Sequence, residues 1–161
     1  TCSSTDPTRM SRRLTVVQLL PALHSGGVER STLEIAAALV AAGHDSHVVS
    51  AGGRLVPALE AAGSTHHALD IGAKSLATPF KAFALRRLLR ALQPDIVHAR
   101  SRLPAWVALG ALRGLTPRPR FVTTVHGMNS PGRYSGVMTR GEAVICVSNT
   151  VRDYVRAHWP D

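Results

Sequence analysis

The pattern of apolar and polar positions changes period repeatedly along this chain, and each change marks an element. Residues 14–20, LTVVQLL, are almost continuously apolar and rich in β-branched side chains, as a strand buried on both faces must be. After a loop ending in Gly26-Gly27, the residues Val28, Thr32, Ile35, Leu39 and Ala42 recur at spacings of 4, 3, 4 and 3. That is one stripe of a helix over residues 28–42, and Gly43 stands where a left-handed C-terminal cap belongs. Residues 46–50 predict a second strand, 55–62 a short helix closed by Gly63, and 65–71 a weak third strand. Thr78-Pro79 predicts a helix start, with a capping hydroxyl before a first-turn proline, and Pro94 stops that helix near residue 92. Further strands are predicted at 95–98, 121–125 and 143–147, and helices at 101–113 and from Ser148 or Asn149 to about 158. The stretch between Gly127 and Gly141 reads as loop with at most one short helix, and residues 1–13 as a polar, disordered lead-in.

Strands alternating with helices, the strands near-continuous in apolar character, predict an α/β fold. It is a doubly wound, Rossmann-like parallel sheet with helices on both faces, occupying residues 14–161. In such sheets ligands bind outside the carboxyl ends of the strands, where strand order reverses. For order 3-2-1-4-5-6 that crevice lies between the first and fourth strands. The loops after Leu20, His98 and Val125 therefore carry the expected chemistry.

Composition narrows the picture. The chain has 161 residues, enough for one domain with a real core. No apolar run reaches the roughly 18 residues of a membrane span, and no signal-peptide pattern opens the sequence. Two cysteines, Cys2 and Cys146, make neither a disulfide framework nor a metal cluster and fit a reducing compartment, so a cytoplasmic location is expected. Cys146 between Ile145 and Val147 reads as core. The formal charge is +9, and 17 of the 19 basic residues are Arg. Aromatic residues are only 4% and no basic run interleaves with them, which argues against nucleic acid. Lys81, Arg86, Arg87 and Arg90 form a basic helix segment that is either a solvated face or a contact with anionic lipid. The absence of an initiating Met and the abrupt Trp159-Pro160-Asp161 end lead us to expect a piece of something longer.

Gly26 and Gly27 precede a helix, where free amides and the helix dipole favour an anion and glycine lets it come close. The loop is neither a Walker loop nor the G-x-G-x-x-G fingerprint, and Ser50-Ala51-Gly52-Gly53 follows the second strand where a ribose-binding acid would stand. A nicotinamide-dependent oxidoreductase is thereby disfavoured. Arg100, Ser101 and Arg102 can clamp a phosphate or a sugar acid, because guanidinium matches oxyanions bidentately. His98 reads as a packed strand-end histidine. His126, directly after a buried strand and before Gly127, can hydrogen-bond a sugar hydroxyl or a phosphate. His66 and His67 are adjacent on a strand and point to opposite faces, so a shared metal is not expected. No Ser-His-Asp order or carboxylate pair suggests nucleophilic catalysis.

Taken together, these loops resemble family 4 glycosyltransferases of GT-B fold. The resemblance rests on Leu19-Leu20-Pro21 with Gly26-Gly27-Val28-Glu29-Arg30, on Pro94-Asp95-Ile96-Val97-His98, on the strand ending Val125-His126-Gly127, and on Val144-Ile145-Cys146-Val147-Ser148. The run from His98 to Arg102 with Trp106 is similar to a lipopolysaccharide or cell-surface polysaccharide subgroup. The resemblance covers the N-terminal, acceptor-side domain only. The C-terminal donor-binding domain, with its E-x7-E motif, is absent from the chain. It implies transfer of a sugar from a nucleotide-sugar to a lipopolysaccharide, polysaccharide or other glycan or glycolipid acceptor, with retention of configuration, no metal and no cofactor beyond the nucleotide-sugar co-substrate. The chain alone is then expected to be inactive. It implies further that Gly26, Gly27, Gly127 and Ser148 approach the donor diphosphate, that His126 contacts the donor sugar near the reacting carbon, and that Arg100, Ser101 and Arg102 line the acceptor side. Many members of the family carry His where Arg100 stands. The alternative reading is a non-catalytic Rossmann-like module for a phosphorylated ligand.

Overall fold

The computed structural model describes residues 12–74 and 76–160; most of the expected lead-in, residues 1–11, lies outside them. Six strands form one parallel sheet: β1 (Thr15–Leu19), β2 (Asp45–Ser50), β3 (Thr65–Ala68), β4 (Ile96–Ala99), β5 (Arg120–Val125) and β6 (Ala143–Cys146). The order is β3-β2-β1-β4-β5-β6 with every pairing parallel, so the reversal point falls between β1 and β4 as expected. Five α-helices connect and close the strands: α1 (Gly27–Ala41), α2 (Val56–Ala61), α3 (Thr78–Leu92), α4 (Arg102–Leu112) and α5 (Asn149–His158). A short 3-10 helix, Ser135–Thr139, is the one helix of the loop before β6.

Two apolar layers hold the sheet. Leu20, Leu23 and Val48 pack with Ala36 of α1 and Leu59 of α2 on one side. Val17, Leu19, Val97 and Phe121 pack with residues of α3, α4, the 3-10 helix and α5 on the other. Arg12 and Arg13, expected in the lead-in, are ion-paired to Asp95 and Asp45 at the starts of β4 and β2, so they belong to the ordered domain.

Several local expectations need correction. The buried line of α1 runs through Thr32 and Ala36, while Ile35 and Ala42 of the expected stripe are exposed. Small side chains win because α1 lies close on the sheet, where Gln18 reaches its backbone. Thr78 is not the cap of α3: Ala77 occupies that position and Thr78 is the first helical residue, ahead of Pro79. β3 ends at Ala68, although Ile71 beyond it is fully buried. Cys146 is only half-buried, because β6 is an edge strand whose neighbours Ile145 and Val147 are exposed. Gly43 does take the left-handed conformation, φ +82°, just beyond α1.

The basic helix segment is also divided. Arg86 donates to the carbonyls of Gly110 and Ala111 at the end of α4 (2.7 and 3.0 Å). Lys81 donates to the Ala73 carbonyl at 2.8 Å and faces Asp70. Only Arg87 and Arg90 of that group are exposed.

Candidate functional site

The carboxyl ends of β1, β4 and β5 open onto a cavity of about 250 Å³. It is lined from the first loop by Glu29, from the second by Arg100, Ser101 and Arg102, and from the third by His126 and Gly127. Three loops far apart in sequence are thus brought together, and six polar or glycine positions meet at the reversal point.

The first loop is held from beside it. The Leu23 amide donates to the Gly52 carbonyl, the Leu55 amide to the Leu23 carbonyl, and Arg54 Nε to the His24 carbonyl (2.8, 2.9 and 2.7 Å). Gly53 makes this possible: its φ is +148°, and a Cβ there would lie 2.3 Å from the Leu23 carbonyl oxygen. Gly26 is the N-cap of α1 at φ +145°, with no side chain capping the helix. Glu29 folds back over it, so that a Cβ on Gly26 would meet Glu29 Oε2 at 2.5 Å. At Gly27 the space that a Cβ would enter is open. Neither Gly26 nor Gly27 lines the cavity itself; Val28 and Glu29 of the turn they start do.

Arg100 is the least ordinary residue of the site. It is only 3% exposed, and no carboxylate pairs with it among the described residues. Its guanidinium donates to Gln18 Oε1 at 3.0 Å and to Ser31 Oγ, while its Nε has no partner. Gln18 in turn donates to the Thr32 carbonyl at 3.2 Å, and Ser31 Oγ to the Val28 carbonyl at 3.0 Å. The network ties the end of β4 to the first turns of α1. Arg100 is therefore a buried, bonded charge and not one solvated at a helix start. Burial lowers the Arg100 pKa.

His126 is half-buried, and its Nε2 is buried without a hydrogen-bond partner. Burial lowers its pKa and Arg100 lowers it further, against an opposing effect of Glu29. The ring is therefore neutral at pH 7. Beneath it His98, expected to be structural, is buried and bonded through Nε2 to Thr124 Oγ1 at 2.6 Å; burial, then Arg100, then His126 push its pKa to about 4. Two orphaned nitrogens, Arg100 Nε and His126 Nε2, thus belong to residues of one cavity. A buried polar atom left unpaired inside a pocket is a place for a ligand to bond.

Ser148 stands apart. It is exposed, lines no part of this cavity, and its Oγ accepts the Val151 amide at 3.2 Å as the N-cap of α5. His66 and His67 separate as expected, His66 to Ser50 Oγ at 2.8 Å and His67 to His47 at 3.1 Å. Among the described residues no three His, Cys, Asp or Glu side chains group as metal ligands. The sequence motifs do not single out Gln18 and Ser31, and they include Glu29 only as part of the run after Gly27. Gln18 did carry a signal, as a long polar side chain in the middle of an apolar run from Val16 to Leu20.

A family model for Glycosyltransferase Family 4 matches residues 25–161. The chain belongs to this family. Comparison with curated protein sequences gives no significant match. Among solved structures, a glycosyltransferase from Rickettsia africae ESF-5 superposes with a TM-score of 0.79 at 31% identity, over 92% of this chain and 40% of that one. The Anabaena protein HepE, solved in complex with UDP and glucose, superposes at 0.72 with 15% identity, over 91% and 42%. Acinetobacter baumannii MurG superposes at 0.61 with 16% identity, over 85% and 42%. The latter two likenesses establish the shared fold. The family 4 domain described here thus spans about two fifths of the length of the structures it resembles.

Proposed function

We propose that this family 4 domain is the acceptor-side half of a glycosyltransferase that moves a sugar from a nucleotide-sugar to a glycan or glycolipid acceptor. The observation that carries the reading is the pair of unpaired buried nitrogens, Arg100 Nε and His126 Nε2, on residues of one cavity at the sheet's reversal point. A donor diphosphate is drawn to the start of α1 by the amides of its first turn and by the helix dipole. Arg100 adds a fixed positive charge behind that turn, so stabilisation of the leaving diphosphate does not depend on a metal in this reading. His126, neutral at pH 7, bonds a hydroxyl of the donor sugar beside the reacting carbon. With no carboxylate pair in the cavity, we favour front-face attack with retention through an oxocarbenium-like transition state. The donor-binding half lies outside this chain, and the chain by itself is inactive in this account.

We further propose a cytoplasmic location with peripheral attachment to an anionic membrane, through the two exposed arginines of the basic segment and two phenylalanines beside them. Phe80 and Phe83, 77% and 63% exposed, share one face of α3 with Arg87 and Arg90. Aromatic and basic residues on one helical face support an interfacial contact. Changing both phenylalanines to Ser is expected to abolish co-sedimentation with phosphatidylglycerol vesicles; unchanged sedimentation would exclude this face.

The transfer reading is tested by His126→Ala in a polypeptide carrying both halves. A loss of roughly 100-fold or more in kcat is expected, the scale of a removed transition-state hydrogen bond. Full turnover by that variant would refute the assigned role.

A further inference from the structure

The chain holds seven aromatic residues, and only Phe121 is in the core. Two of the others form a platform beside the cavity. The rings of Trp106, on α4, and Tyr134, before the 3-10 helix, lie nearly parallel at 18° with centroids 6.4 Å apart. Trp106 Nε1–H donates to the Tyr134 carbonyl at 3.1 Å, which fixes their relation. Three cations from three separate segments sit against these rings. The Lys74 ammonium is 4.4 Å from the Tyr134 ring centre, the Arg102 guanidinium 5.5 Å from the same ring, and the Arg140 guanidinium 5.4 Å from the Trp106 ring. Among the described residues none of the three is in an ion pair.

Each contact with a ring is a modest attraction. Gathering three like charges without an acid opposes it, and the arrangement makes chemical sense when an anion lies across them. The rings add what an inorganic ion would not need, a flat apolar face on which the C–H side of a sugar ring can stack. Arg102 belongs to both the platform and the cavity, and it also donates to Ser135 Oγ at 3.3 Å, so the platform runs outward from the reacting centre.

We propose that Trp106, Tyr134, Lys74, Arg102 and Arg140 bind an acidic saccharide, a sugar unit carrying phosphate or carboxylate, as part of the acceptor. The acceptor role rests on the glycosyltransferase reading; the binding itself does not. The sugar stacks on the rings and its anionic group spans the cations, with guanidinium offering paired donors to phosphate or carboxylate.

The test is a fluorescence titration of the Trp159→Phe chain, in which Trp106 is the sole tryptophan. The Trp106 indole N–H signal in the unsubstituted chain follows the same titration by NMR. The probes are glucose 6-phosphate, glucuronic acid, neutral glucose, inorganic phosphate and phosphatidylglycerol vesicles. Saturable binding of both acidic sugars, at least tenfold tighter than glucose and than inorganic phosphate, is expected. Arg102→Gln with Arg140→Gln is expected to remove that preference. Equal binding of glucose, equal binding of inorganic phosphate, a response to vesicles alone, or indifference to the double variant each overturns the proposal. Failure of this titration while the two-domain protein still transfers sugar would overturn the platform alone. Binding intact without any transfer would overturn the glycosyltransferase reading and with it the acceptor role.

Discussion

Arg100 reaches the two histidines through its charge. Burial is the larger cause of the low pKa of His98 and His126; Arg100 lowers both further, and Glu29 opposes it at His126. Arg100→Met is therefore expected to raise both histidine pKa values, and Glu29→Gln to lower that of His126 further, as followed by NMR titration of the ring protons. No response at His126 to either change would mean that the three residues are not electrostatically coupled. The two glycines of the first loop separate by geometry. Gly26 sits at φ +145° under the Glu29 carboxylate, but at Gly27 nothing lies within 4 Å of an added Cβ. Gly27→Ala should leave stability unchanged or raise it by about 0.4–1 kcal/mol, through the less flexible unfolded chain. It should weaken nucleotide-sugar binding by tenfold or more if phosphate comes close to this backbone. Thermal melting and a binding titration on one sample separate the two effects. At this scale, position within a strand-end loop was enough to bring Arg100 and His126 to one cavity. Ser148 fulfils the expectation of a helix cap and lies outside that cavity, because a hydroxyl after a strand reads the same whether it meets a ligand or caps the next helix.

The elements were legible because the period of the apolar pattern changes cleanly between strands and helices. What escaped was contact between elements. The apolar stripe of α1 runs through Ile35, a large residue, but the face turned to the sheet is set by the close approach that Thr32 and Ala36 permit. Likewise the pair Gly52-Gly53 is not just a turn. Gly53 lets the loop after β2 lie against Leu23 and so fixes the loop before α1. Gly53→Ala places a Cβ 2.3 Å from a backbone oxygen at a φ that side chains avoid. A destabilisation of at least about 2 kcal/mol is expected, at the upper end of single substitutions. Denaturant unfolding measures it, and a variant as stable as the parent would mean that the two loops are not packed this way. The division of the basic segment of α3 was equally invisible, since Arg86 and Lys81 are claimed by carbonyls 25 and 8 residues away.

For the molecule as a whole, the buried histidine at the centre of the sheet links stability to pH. His98 titrates near 4 in the folded chain, below the 6.5 of an exposed imidazole. Between those values the unfolded chain binds the extra proton, so stability is complete above about pH 6.5 and falls as pH drops toward 4. The size of the effect from this residue is about 3 kcal/mol. His47, His66, His67 and His126 are shifted in the same direction and steepen it. Urea midpoints measured across this window test the claim, and His98→Gln should flatten the curve. At the sheet's edge, Ile145 and Val147 are 47% and 53% exposed, unusual for a parallel sheet, whose faces are normally covered. The chain spans 40% of the length of its Rickettsia neighbour, and the account proposed above makes it one half of a cleft. The most direct measurement of that account is amide and histidine NMR of this chain during titration with a panel of nucleotide-sugars. Weak binding that shifts Gly26, Gly27, Arg100, His126 and Gly127 together is the result expected. Shifts confined to other parts of the sheet would contradict the central claim.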